Sequence, residues 1–222
     1  MSYFETISTT SVVYLSVLAG RDHTCGVTDT NHIRCWGDNE YGQLGNGALG
    51  GTQYNQGLVD SMEQFTAVTG GAMHSCGLTV TGAAFCWGDN SSGQLGTGDT
   101  TARYSPTAVT GGHQFTALAA GYLFTCGLKT SGQVWCWGNN AVGNLGNGTT
   151  TDSMVPVQVS STATFETINI GSNGNHVCAL STAGEAYCGG ANTYGQIATG
   201  RVTERARSLR PPLSRPPKFF QR

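Results

Sequence analysis

The chain has 222 residues, of which only 11% are charged and 33 are glycine. This composition suits short strands joined by tight turns and excludes a helical bundle, which needs abundant Glu, Lys and Leu. Residues 1–200 carry twelve acids and four cations, whereas residues 201–222 carry seven cations and one acid. The acidic body argues against a nucleic-acid-binding face on residues 1–200.

Residues 1–11 form an N-terminal segment that we expect to belong to a preceding structural unit. The segment contains no Lys or Arg, and the apolar stretch after it, Val12 to Ala19, leads directly into repeated sequence. We therefore interpret that stretch as a strand and not as a signal peptide. No apolar run reaches the roughly 18 residues of a membrane helix, so the sequence predicts no membrane span.

Residues 12–200 contain four copies of one unit, with a period of about 51 residues. The unit boundaries that we predict are 12–58, 59–108, 109–158 and 159–200. Self-similarity at this period indicates a propeller or a solenoid and not a compact enzyme with one core.

Each unit opens with an aromatic residue followed by alternating apolar positions, which is the pattern of a strand. The aromatic residues are Tyr14, Phe65, Phe115 and Phe165. A second strand passes through the first cysteine of the unit, and a third ends at the second cysteine. We expect a fourth strand in the variable stretch, for example from Met154 to Val159. The sequence therefore predicts an all-β protein with blades of antiparallel strands.

Each unit closes with a motif of the form Gly-x-Asn-x-x-Gly-x-Leu-Gly, at residues 37–45, 88–96 and 138–146 and, with changes, at 190–198. Asparagine and glycine supply left-handed backbone angles, so the motif predicts a fixed turn that leads into a buried leucine. This motif and its period resemble the regulator of chromosome condensation family. The resemblance covers Tyr14 to Gly200. It implies a β-propeller that has seven blades in the family, of which four are present here.

The fourth unit departs from the pattern, because Gly189 replaces the tryptophan found at Trp36, Trp87 and Trp137. The repeat then stops. Residues 201–222 form a tail rich in Arg and Pro, which we expect to be disordered. Its cations are the one part of the sequence suited to contact nucleic acid. The abrupt break favours a truncated or frame-shifted gene, and one hypothesis is a fragment without independent function.

The eight cysteines form four pairs with a spacing of ten residues, and none is left over. The pairs are Cys25/Cys35, Cys76/Cys86, Cys126/Cys136 and Cys178/Cys188. This spacing places two facing residues on a hairpin, within reach of a structural disulfide. Disulfides favour an extracytoplasmic or secreted protein, whereas reduced cysteines buried between blades are the cytoplasmic alternative.

Zinc is a further alternative for the cysteines, because His23 shares a strand face with Cys25. His74 and His176 repeat the arrangement, but Phe124 occupies the same position in the third unit. Phenylalanine cannot be a metal ligand. We therefore expect no metal and interpret the histidine as a residue that packs or caps a turn.

The functional prediction is a non-catalytic module that binds a protein partner of unknown identity. The sequence contains no nucleophile elbow, paired-carboxylate motif or phosphate-binding loop, so we predict neither enzyme activity, nor a cofactor, nor a small-molecule substrate. Loops 46–57, 97–107 and 147–155 vary most between units and form the candidate recognition surface. The candidate contact residues are Leu49, Tyr54, Leu58 and Tyr104.

The family resemblance implies an alternative function, guanine-nucleotide exchange on a small GTPase. No residue of this sequence can be matched to an element that would release nucleotide from such a partner. Four units also leave two open blade faces, so we expect self-association through these faces.

Overall fold

The computed structural model describes residues 12–198 and the backbone of residues 205–210. They form four antiparallel sheets of four strands, and successive strands pair within each sheet. Blade 1 comprises β1 (Tyr14–Ala19), β2 (His23–Thr28), β3 (Ile33–Asp38) and β4 (Thr52–Leu58). Blade 2 comprises β5 (Phe65–Gly70), β6 (His74–Thr79), β7 (Ala84–Gly88) and β8 (Arg103–Ala108). Blade 3 comprises β9 (Ala117–Ala120), β10 (Phe124–Leu128), β11 (Val134–Gly138) and β12 (Ser153–Gln158). Blade 4 comprises β13 (Phe165–Asn169), β14 (His176–Ser181), β15 (Ala186–Ala191) and β16 (Arg205–Arg210).

The predicted all-β architecture is confirmed, and the fourth strands lie in the variable stretches. The first strands β1, β5, β9 and β13 contact one another in sequence, so they line the inner side of the array and the fourth strands lie at its periphery. The described part of the chain contains no helix that is long and apolar enough to cross a membrane.

The third strands extend beyond the second cysteine, which differs from the predicted end point. In blade 2 the pairing of β6 with β7 continues from Cys86 to Gly88, which lies opposite His74. The register between β7 and β8 shifts over the same step. Gly88 has φ of +102°, and a Cβ there would lie 2.6 Å from the carbonyl oxygen of Met73. Only glycine fits this position, which explains the recurring Trp-Gly step.

The predicted tail contains a strand. Backbone pairing joins β16 to β15, so residues 205–210 form a strand. This differs from the disordered tail that the sequence predicts. Pairing through backbone N–H and C=O groups needs no particular side chain, and the edge of β15 offers such groups. The rest of the tail and residues 1–11 lie outside the described residues.

The apolar core lies between blades. Val27, Ile33 and Leu44 of blade 1 form one buried cluster with Phe65 and Trp87 of blade 2. Clusters of the same kind join blade 2 to blade 3 and blade 3 to blade 4. Each blade therefore depends on the next one to cover its hydrophobic face.

The closing motif forms the turn that the sequence predicts. Asn90 is fully buried, and its Oδ1 accepts a hydrogen bond from the backbone N–H of Leu95 at 3.0 Å. Its Nδ2 donates to the carbonyl oxygens of Asp99 and Thr101. Asn39 and Asn140 make corresponding contacts in blades 1 and 3. The asparagine thus connects the turn to the variable loop and directs the leucine into the core.

Candidate protein-binding surface

A histidine and a hydroxyl group connect neighbouring blades at the same position of the repeat. The Nε2 atom of His23 lies 2.9 Å from the Oγ of Ser75, and Ser75 donates to the carbonyl oxygen of Gln43. The Nε2 atom of His74 lies 2.8 Å from the Oγ1 of Thr125, which donates to the carbonyl oxygen of Gln94. The arrangement is the same at both blade contacts, so these side chains belong to the packing between blades.

The hydroxyl group determines the histidine tautomer. The Ser75 hydroxyl uses its one hydrogen to donate a hydrogen bond to Gln43, so its oxygen must accept a hydrogen bond from the Nε2–H of His23. The Nδ1 atom of His23 then carries a lone pair, and it has no hydrogen-bond partner within the described residues. Burial lowers the pKa of His23 to about 4, against a smaller opposing effect of Asp38 and Asp22.

The second contact has the same electrostatic character. Burial, and after it the charge of His23, lower the pKa of His74 to about 3. Both imidazoles are therefore neutral hydrogen-bond donors at neutral pH.

The contact between blades 3 and 4 replaces both polar residues with apolar ones. Phe124 stands at the histidine position and Val177 at the hydroxyl position, and both belong to one buried cluster. Phe124 also packs over Gly121 as His74 packs over Gly71. The histidine and its hydroxyl partner are thus both replaced in this contact, as a paired role predicts.

These contacts replace the zinc arrangement that was open from the sequence. All eight cysteines lie in the predicted pairs at disulfide distance, with Cα atoms 4.0 to 4.2 Å apart. His23 is directed to the next blade and not to Cys25 and Cys35. Residues 12–198 and the strand 205–210 present no group of three His, Cys, Asp or Glu residues that could hold a metal ion.

Two of the predicted contact residues belong to blade faces and not to free loops. The ring of Tyr104 lies over Gly42 of blade 1 and leaves no room there for a Cβ, and its carbonyl oxygen accepts the N–H of Gly47 at 2.9 Å. Tyr54 occupies the same position in blade 1. Its side chain is 89% exposed, compared with 38% for Tyr104.

The other two contact residues lie near the outer edge of blade 1. Leu58 is 53% exposed and lines a surface cleft of about 450 Å³ together with Met62 and Asp60. Asn46 also lines this cleft, and it begins the loop that contains the exposed Leu49. The structure brings Leu58 to this cleft and adds Met62, which is 99% exposed.

Comparison with known proteins identifies the repeat. The family described as "Regulator of chromosome condensation (RCC1) repeat" matches residues 34–78, 81–128 and 131–180, and a second description of the same repeat matches 16–43, 65–94 and 115–144. The chain belongs to the RCC1 repeat family. The predicted resemblance is thus confirmed.

Curated relatives share part of this RCC1-repeat array. A probable E3 ubiquitin-protein ligase HERC4 of Rattus norvegicus is 36% identical over 104 residues, which is 46% of this chain and 10% of the relative. A secretion-regulating guanine nucleotide exchange factor of Bos taurus is 40% identical over 82 residues, which is 36% of this chain and 18% of the relative. The array spans a small part of both.

Solved structures show the same fold. Human WBSCR16 superposes with a TM-score of 0.81 at 21% identity, over 91% of this chain and 53% of its own. Prp20p of Saccharomyces cerevisiae, studied with its binding to Gsp1p and histones, gives 0.80 at 17% identity, over 91% and 51%. The ectodomain of the Physcomitrella patens receptor kinase CR4 gives 0.54 at 26% identity, over 82% and 40%. The RCC1-repeat array spans about half of these chains.

The residues that join the blades differ from those that the sequence predicts. Ser75 and Thr125 had no assigned role, and Met62 was not among the contact residues. The sequence nevertheless contains a signal for the blade contact. His23 and His74 each stand two positions before the first cysteine of their unit, and the unit after each has Ser or Thr immediately before its own first cysteine. Where the third unit of this RCC1-repeat chain has Phe124, the fourth has Val177.

Proposed function

We propose that this array is a non-catalytic protein-binding module and that the outer edge of blade 1 contributes its contact surface. This proposal rests on the cleft beside Leu58 and Met62. The side chains of Leu58 and Met62 are more than half exposed there, and Asp60 and Asn46 provide polar groups beside them. An apolar centre with a polar border is the arrangement of protein-binding sites.

The use of the buried polar side chains supports a role in binding and not in catalysis. Gln94 is fully buried, and its Nε2 donates to Asp89 at 2.7 Å while its Oε1 accepts the N–H of Ser92. The histidines of blades 1 and 2 are engaged in blade contacts. These groups stabilise the repeat, which leaves exposed side chains to recognise a partner.

Site-specific photo-crosslinking tests the binding proposal. A photoreactive residue at position 62 should capture a partner in cells that produce the protein, and Leu58→Asp should weaken binding of that purified partner about tenfold or more. Val80 is 55% exposed in blade 2 and does not line the cleft, so Val80→Asp is the matched control. Equal loss of affinity in both variants would contradict the proposed surface.

Guanine-nucleotide exchange is the second candidate function. It is favoured by the 40% identity to the bovine exchange factor over 82 residues. Release of labelled nucleotide from purified small GTPases, with and without the chain, separates the two functions. A binding module leaves the release rate unchanged, whereas a large acceleration would replace our proposal with exchange activity.

We also propose an extracytoplasmic or secreted location, with a cytoplasmic location as the alternative. The pairing of all eight cysteines supports an oxidising compartment. The fold is shared with the CR4 ectodomain. Fractionation of producing cells, with detection of the chain in each fraction, tests the location.

A further inference from the structure

Every internal blade contact uses the same two surfaces. We name the two packing surfaces of each blade. The trailing face of a blade packs against the next blade in the chain, and its leading face packs against the preceding blade. On the trailing face of blade 1, Gly42 lies under Tyr104, and Gly45 approaches the Trp87 Nε1 so closely that a Cβ would be 2.6 Å away. Trp87 also donates to the carbonyl oxygen of Gln43 at 2.9 Å.

The leading face of blade 1 has no blade against it within the described part of the chain. Tyr54 is 89% exposed, whereas its counterpart Tyr104 packs on Gly42. Trp36 is half-buried, whereas Trp87 is fully buried. Val17 is 50% exposed at the position where later blades pack an apolar side chain into the preceding core. The surface therefore carries the side chains of a blade contact in an uncovered state.

Among the described residues, none covers the trailing face of blade 4 as the next blade covers this face in blades 1 to 3. The disulfide between Cys178 and Cys188 is half-buried, whereas the six cysteines of blades 1 to 3 are at most 1% exposed. Gly195 stands at the position of Gly42, and nothing lies within 4 Å of a Cβ built there. His176 is half-buried at the position of the bridging histidines, with no hydrogen-bond partner within the described residues.

We propose that the trailing face of blade 4 binds the leading face of blade 1 in a second copy of this chain. In this contact Tyr54 of one copy covers Gly195 of the other, as Tyr104 covers Gly42 within the chain. His176 donates to the hydroxyl of Thr24, which stands at the position of Ser75 and Thr125. The hydroxyl of Thr24 then donates to the carbonyl oxygen of Gln196, the counterpart of Gln43.

A second copy fits better than an unrelated protein, because the two open faces are halves of a contact that the chain already makes three times. One chain matches 51% of Prp20p and 53% of WBSCR16, and two copies supply eight blades, one more than the seven that the family resemblance implies. We therefore propose the head-to-tail contact between the two faces and not a closed ring of seven blades. Each of two copies can offer one leading and one trailing face to the other. Such head-to-tail contacts close when the rotation between copies completes a ring.

Ala198 stands where the closing motifs of blades 1 to 3 have glycine. The corresponding Gly45 and Gly96 lie directly against tryptophan side chains. A Cβ at Gly45 would lie 2.6 Å from the Trp87 ring, so in the proposed contact the methyl group of Ala198 crowds Trp36 of the second copy and weakens association. Removing this methyl group should therefore strengthen association, which gives the proposal a test by gain of affinity.

Sedimentation velocity over a concentration series tests the proposal on the full chain. We expect a reversible species with the mass of two chains. Tyr54→Asp should raise the dissociation constant about tenfold or more, because a large aromatic side chain leaves the centre of the contact. Ala198→Gly should lower the dissociation constant, and Val80→Asp should leave it unchanged. Thermal unfolding of each variant confirms that it is folded.

A double substitution tests the polar pair directly. Thr24→Val alone should weaken association, because His176 loses its acceptor. Thr24→Val combined with His176→Phe copies the Val177 and Phe124 pair and should restore association. A chain that is monomeric at every concentration would overturn the assignment to a second copy. Equal weakening by Tyr54→Asp and Val80→Asp would also overturn it.

Discussion

The Nε2 atom of His74 lies 2.8 Å from the hydroxyl oxygen of Thr125, and this contact joins blade 2 to blade 3. Both side chains are fully buried. The Thr125 hydroxyl donates a hydrogen bond to the carbonyl oxygen of Gln94, so the contact also holds the closing turn of blade 2. A buried polar pair of this kind is costly to break on one side only.

Substitution of the hydroxyl should therefore destabilise the protein more than substitution of the pair. Thr125→Val leaves the Nε2–H of His74 buried without an acceptor, which costs about 1–3 kcal/mol. The double variant His74→Phe with Thr125→Val copies the natural Phe124 and Val177 and should recover part of that loss. Urea unfolding of the two single variants and the double variant measures the coupling. Additive effects would contradict a paired role.

The stability of the protein should fall in acid before its carboxylates are protonated. The folded-state pKa of His23 is about 4 and that of His74 about 3, both below the value of about 6.5 in an unfolded chain. The neutral imidazoles therefore contribute stability that is fully present above about pH 6.5. This contribution declines as the pH falls towards 4, because the unfolded chain binds protons first.

The urea midpoint measured between about pH 7 and pH 4 checks this expectation. The double variant His74→Phe with Thr125→Val removes one of the two imidazoles and should show a smaller decline. An unchanged pH dependence in that variant would show that His74 is not the titrating group.

The tryptophans of the repeat should differ in their importance for stability. Trp87 is fully buried between blades and donates to Gln43, so Trp87→Ala should cost about 3–5 kcal/mol. Trp36 is half-buried on the leading face of blade 1, and Trp36→Ala should cost clearly less. Thermal unfolding of both variants at high dilution makes the comparison. Similar losses would mean that the leading face of blade 1 is covered within the chain.

The cysteine pairs should be oxidised in the native protein and should stabilise it. Alkylation without a reductant, followed by mass spectrometry, should detect no free thiol. Replacement of Cys126 and Cys136 by alanine opens a loop of ten residues and should lower the free energy of unfolding by about 3 kcal/mol. Eight alkylated cysteines in the native protein would support the cytoplasmic alternative.

Much of the fold could be predicted because each blade is a local structure. The ten-residue spacing places Cys76 opposite Cys86 on adjacent strands, and hairpin register follows from spacing alone. The turn at Asn90 is also local, since its contacts lie within eleven residues. The Arg205–Arg210 strand could not be predicted, because it pairs through its backbone with an edge that any sequence can extend.

The candidate site was harder to predict because blade contacts link residues about fifty positions apart. Tyr54 and Tyr104 both suggested a recognition loop, yet Tyr104 packs on Gly42 of the preceding blade. The residues around each tyrosine do not tell whether it is exposed in a variable loop or packed between blades. Only the position of the neighbouring blade distinguishes them, and that position depends on the whole array.

Photo-crosslinking between two copies tests whether the trailing face of blade 4 binds the leading face of blade 1 in a second copy. A photoreactive residue replaces Tyr54 in an isotopically labelled chain, which is mixed with an unlabelled chain that carries Tyr54. We expect crosslinks from labelled position 54 to unlabelled residues around Gly195. Crosslinks confined to one chain, or to other surfaces of the second chain, would contradict it.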